Sequence, residues 1–147
     1  MKAAQGSMGR VFVLRLEDGD RLPDCIEQFA GENAINGGLV ALVGGIGSGT
    51  LVVGPEDGNA EIITPMTKVF NAAHEAAALG TLFADSAGKP KLHMHTTLGR
   101  GDDTLMGCIR QGIDVWKIAE VVILEIVDSG MVRKLDPAFN LELLSPE

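Results

Sequence analysis

The spacing of hydrophobic and polar positions changes twice along this chain. Gly9 to Leu16 reads GRVFVLRL, a run in which Val11 and Val13 stand beside Phe12 and Leu14, and it predicts a strand. Glu17-Asp-Gly-Asp20 is a turn. From Leu22 the apolar residues fall at Leu22, Cys25, Ile26, Phe29 and Ala30, which is helical spacing. Pro23 suits a first helical turn, Asp20 or Arg21 would cap it, and Gly37-Gly38 would stop it.

Beyond this helix the pattern is that of strands. Leu39–Val43 and Thr50–Val53 flank a glycine cluster at 44–49, and Glu56-Asp-Gly-Asn59 has hairpin-turn chemistry. Ala60–Thr64 reads as a short strand. Glu75–Ala84 and Lys91–Leu98 read as a hairpin joined by the loop 85–90. Thr104–Arg110, Val115–Ile118, Val121–Val127 and Leu141–Leu144 complete the set. One helix among many strands predicts an α+β fold, a mainly antiparallel sheet with a helix packed on it. Nothing divides the chain into parts. Residues 1–8 are expected to be a disordered or vector-derived tail, and 9–147 a single domain.

Composition narrows the partners. With 147 residues, 46% of them hydrophobic, the chain can bury one sizeable core. No apolar run reaches the length of a membrane span. The two cysteines, Cys25 and Cys108, lie far apart, which is neither a disulfide framework nor a metal knuckle, and reduced thiols fit a cytoplasmic address. The net charge is −8, and the Lys and Arg residues are scattered. Such a surface is repelled by phosphate backbones, so direct duplex binding is not expected.

Among motifs, Gly44–Gly49 fits neither a dinucleotide fingerprint nor a phosphate loop, and is read as a bulged connection between buried strands. Ser48 lacks the surroundings of a nucleophile elbow. The three histidines say more. His93-Met94-His95 lies in a predicted strand, where residues i and i+2 share a face, so both imidazoles can converge on one ion. Zinc accepts neutral imidazole ligands and leaves a position for water where only three protein ligands bind. A third ligand could be His74, distant along the sheet but able to come from a neighbouring subunit, or Cys108 on the next strand. Lys89, Lys91 and Arg100 lie near the histidine strand and could form a small positive rim for a small anionic ligand.

The order of the motifs resembles the plant and prokaryote conserved domain, PPC or PCC. The resemblance rests on Gly9-Arg-Val-Phe-Val-Leu-Arg15, Val43-Gly-Gly-Ile-Gly-Ser48, Leu79-Gly-Thr-Leu82, Leu92-His-Met-His95, Leu98-Gly99 and Ala119-Glu-Val-Val-Ile123. It implies a trimer of sheet-based subunits. In plants the domain follows an AT-hook, which this chain lacks. Many prokaryotic members carry Gly-Gly-His-Leu after the His-x-His strand. Here the stretch is Met106-Gly-Cys-Ile109, so Cys108 stands where that histidine would be. The resemblance therefore implies a zinc site of His74, His93 and His95, completed across a subunit boundary. It leaves three functions open: a metal-binding domain with a binding or regulatory role, a DNA-associated protein, and a zinc enzyme assisted by Glu75 or Arg100.

Overall fold

The computed structural model describes residues 1–146. Its elements are β1 (Ser7–Glu17), β2 (Arg21–Leu22), α1 (Asp24–Glu32), β3 (Gly37–Pro55), β4 (Pro65–Ala84), β5 (Pro90–Arg100), β6 (Asp103–Cys108), β7 (Ile113–Val127), β8 (Met131–Asp136) and β9 (Leu141–Pro146). Seven strands form one sheet in the order β1-β7-β3-β4-β5-β6, with β2 also on β7, and β8 and β9 form a separate hairpin. β6 also meets β3 through Val52 opposite Cys108, so β3 to β6 curl into a partly closed barrel.

Alternation sorts the side chains. Val40, Leu42, Leu82, Met94, Leu98, Val121 and Ile123 point inward and are buried. Helix α1 covers this inner face with Ile26 and Ala30, and Phe29 meets Phe12 edge-on at 5.5 Å between ring centroids. Each fully buried side chain of this size contributes about 1.5–3 kcal/mol relative to exposure. At one end of the inner face, Glu125 is gripped by Arg10, with Nη2 2.6 Å from Oε1. The Arg10 guanidinium holds the Glu125 carboxyl down to about 2, so this pair is structural.

Several expectations are corrected. The glycine cluster does not break the strand: β3 runs through it, with register shifts at Ile46/Ser48 and Val52/Gly54. Glycine is needed there because β7 crosses closely; at Gly44, with φ +145°, a Cβ would lie 2.5 Å from the Ala119 Cα. The helix ends at Glu32, and Gly37-Gly38 open β3 instead of stopping it. Asn33 ends the helix, its side-chain amide donating to the Phe29 carbonyl at 2.9 Å. Ala60–Thr64 is part of the β3–β4 connection and not a strand. Strand β4 begins ten residues earlier than expected, Val115–Ile118 and Val121–Val127 are one strand, and β1 already starts at Ser7. β9 falls where Leu141–Leu144 was expected to be a strand, whereas its partner β8 was not expected.

Candidate metal centre

The outer face of the sheet carries the site. Antiparallel register sets Val13 opposite Val122, Val122 opposite Ala41, Ala41 opposite Leu79, Leu79 opposite His95, and His95 opposite Cys108. These residues form one row from β1 to β6, apolar along most of its length and ending in an imidazole and a thiol. The next row runs Val11, Leu124, Leu39, Thr81, His93. Between the histidines, Met94 is buried on the opposite face, as strand alternation requires. Gly80 lies opposite Met94, and a Cβ there would fall 2.7 Å from the His93 carbonyl oxygen, so the bare backbone of β4 lets β5 approach.

The two imidazoles converge as the i, i+2 spacing predicts. Their Nε2 atoms are 3.1 Å apart. The Cys108 thiol joins them, and all three ligand atoms lie within 4.8 Å of one another. Ligands of a tetrahedral zinc ion are spaced by about 3.3–3.6 Å, so the histidine pair is already near coordinating distance. Two neutral nitrogens and one sulfur are a donor set that suits zinc. His93 is held below the usual histidine range, first by burial against its neighbours and then by the charges of Arg133, His95 and Arg110. This lowering favours the neutral imidazole that metal binding requires.

His74 is elsewhere. It sits in β4 opposite Ile46, five residues from Leu79, the residue facing His95. At about 3.3 Å per residue that is roughly 17 Å along the strand, beyond reach within one chain. Its Nδ1 lies 2.6 Å from the Ala72 carbonyl, and its ring meets Phe70 edge-on. Donation from Nδ1 leaves the Nε2 lone pair free. Cys25, the other thiol, is pushed up to about 11 by burial and by Asp20, and among the described residues it is not one of the side chains gathered at the histidines.

Of the three basic residues expected beside the histidines, Lys91 is there and the other two are not. Arg100 is at the far end of β5, donating to the Ala73 carbonyl, and Lys89 lies in the β4–β5 loop. Instead, a cavity of about 420 Å³ with His93 in its wall is lined by Lys91, Arg110 and Arg133. At this end of β5 the strand has no neighbour on the β6 side, and the Glu27 side chain takes the neighbour's place. Glu27 of α1 accepts from the Leu92 amide at 2.9 Å, and Arg133 of β8 donates to the Thr81 carbonyl at 3.0 Å. Sequence reasoning missed Arg133 because β8 gave no periodic signal. Glu75 is on the exposed part of β4 opposite Gly99, and Glu125 is taken by Arg10, so neither stands beside the histidines.

The sheet order, the row ending in His-x-His and the single packed helix together define a small β-rich domain with a candidate metal centre on its outer face. The chain belongs to the Plants and Prokaryotes Conserved (PCC) domain family, whose model matches residues 3–127. No curated protein sequence is matched. Among solved structures, a metal-containing protein of Archaeoglobus fulgidus is similar with a TM-score of 0.85 at 24% identity, covering 97% of this chain and 98% of that one. A PPC protein of Pyrococcus horikoshii has a TM-score of 0.85 at 19% identity, covering 100% and 99%. A protein of Bacteroides thetaiotaomicron with a provisional DNA-binding description has a TM-score of 0.78 at 21% identity, covering 95% and 96%. These likenesses establish the fold. Among the described residues no helix is long and apolar enough to cross a membrane.

Proposed function

We propose that this PCC domain is a zinc-binding homotrimer that presents its metal to a small ligand. The observation that carries this reading is the convergence of His93 Nε2, His95 Nε2 and Cys108 Sγ within 4.8 Å. Three protein ligands leave one position of a zinc ion for water or a ligand oxygen. The metal-containing description of the Archaeoglobus fulgidus relative supports the reading. When bound, zinc supplies a Lewis acid at that position. The chain's own residues do the rest: His93 and His95 are fixed by strand register, and Cys108 is held by its pairing with both His95 and Val52.

Self-association is supported by the outer face. Val11, Val13, Val43, Leu79 and Val122 are all exposed there, on neighbouring strands of one face, which is the kind of grouped apolar exposure that marks an association surface. A second reading of the metal set follows from it. In a trimer, His74 of a neighbouring subunit would reach the ion and take the third or fourth position, as the free Nε2 of His74 suggests.

Cobalt separates the two. Co(II) bound by His93, His95 and Cys108 gives a thiolate-to-cobalt charge-transfer band in the near ultraviolet, and the Cys108→Ser variant loses it. A cobalt complex without that band, whose visible spectrum changes in His74→Ala and not in Cys108→Ser, would exclude Cys108 and place His74 in the set.

Direct duplex binding has no part in the proposal, despite the provisional description of the Bacteroides relative. Twenty acidic residues face twelve basic ones, and a trimer triples the net charge of −8. In a titration of labelled A·T-rich and mixed duplexes at physiological salt we expect no sub-micromolar binding. Sub-micromolar affinity that falls steeply with added salt would restore the DNA-associated reading.

A further inference from the structure

The cavity beside His93 has a chemistry of its own. Its cations are Lys91, Arg110 and Arg133, and its carboxylates are Asp24, Glu27 and Glu142. Equal numbers do not mean equal availability. Glu27 is committed to the Leu92 amide and lies 3.8 Å from Lys91 Nζ, so these two charges answer each other. Arg133 is buried and spends its Nε and Nη2 on the Lys91 carbonyl and on Thr81, with Glu142 in the same cavity wall. Arg110 is exposed in the short helical turn after Cys108 and forms no ion pair among the described residues. It lines the same cavity as His93 and Arg133. The remaining wall is apolar: Pro23, Leu92, Leu135 and Leu141.

We propose that this cavity binds a small organic carboxylate, its charged end between Arg110 and the His93 side of the metal site, its apolar body against Leu135 and Leu141. The inference rests on the zinc reading above, because a divalent ion on His93 turns a balanced cavity into a net positive one. A guanidinium offers paired donors that match a carboxylate. An apolar wall of leucines favours an organic body over an inorganic ion, which would leave it wet. The volume of about 420 Å³ is in the range of small-molecule pockets. Lys91 and Arg133 act as positioning residues. They keep the strand edge shaped while Arg110 remains free to close on the ligand.

The test is calorimetric titration of the zinc-loaded full chain with benzoate, and separately with inorganic phosphate. Zinc content is measured on the same samples. We expect benzoate to bind at about the millimolar level, as suits a ligand of this size at a site with one free guanidinium. Arg110→Ala weakens it roughly tenfold or more, the scale of a charge-assisted hydrogen bond. Leu135→Ala weakens benzoate severalfold and leaves zinc content and the circular dichroism spectrum unchanged. Zinc uptake with no benzoate binding overturns this inference alone. So does benzoate binding indifferent to Arg110→Ala, or phosphate binding tighter than benzoate. Failure to take up zinc overturns the metal reading and this inference together.

Discussion

In His95→Ala, zinc retained after dialysis is expected to fall from the proposed one ion per chain to none, while the fold is kept. His95 lies on the outer face, between Leu79 on β4 and Cys108 on β6. Its ring fills no core space, and alanine fits a strand position without strain, so the stability cost is within the small range of surface substitutions. The effect on the ion is large because a ligand is removed outright. Loss of a residue that only hydrogen-bonds to a metal ligand already costs about 10–100-fold in affinity, and loss of the ligand itself exceeds that. His93→Ala gives the same result. Elemental analysis of dialysed protein beside far-ultraviolet circular dichroism checks both. Full zinc occupancy in either variant would mean that the ion sits elsewhere.

Val122→Glu is expected to break the proposed trimer. Val122 is the second residue of the row from Val13 to Cys108, between Val13 on β1 and Ala41 on β3, and it is exposed in the single chain. Three-fold symmetry would bring one new carboxylate per subunit into the apolar contact. A buried charge with no partner costs several kcal/mol, enough to offset a large part of an interface. Sedimentation equilibrium at micromolar concentration is expected to show a threefold fall in mass relative to the parent chain. A parent chain that is already monomeric would end the trimer reading, and a variant that stays trimeric would move the interface off this row. The same samples show whether a neighbour completes the site. If His74 of another subunit is a ligand, zinc leaves as the trimer falls apart, whereas a His93, His95 and Cys108 set keeps it.

Legibility of this chain followed locality. The i, i+2 spacing of His93 and His95 is a property of three adjacent residues, and strand geometry alone puts the rings on one face. The helix core at Cys25, Ile26, Phe29 and Ala30 was equally local, but its end was not: Gly37-Gly38 read as a stop, while Asn33 closed the helix and the glycines entered β3. The glycine cluster misled for a related reason. Its residues look like a connection, yet they serve the crossing of β7, a strand some seventy residues later in the chain. Cys108 was weighed only as an alternative, since its place beside His95 depends on the register of the β5–β6 hairpin. Arg110 and Arg133 were missed altogether. One follows the end of β6 in a turn, and the other comes from a hairpin whose residues show no strict alternation.

The most direct measurement is a crystal structure of the zinc-loaded protein with anomalous scattering recorded on both sides of the zinc edge. The account predicts one peak per chain, at about 2.0–2.1 Å from His93 Nε2 and His95 Nε2 and about 2.3 Å from Cys108 Sγ. A crystal of zinc-saturated protein with no peak between the two histidines would contradict it.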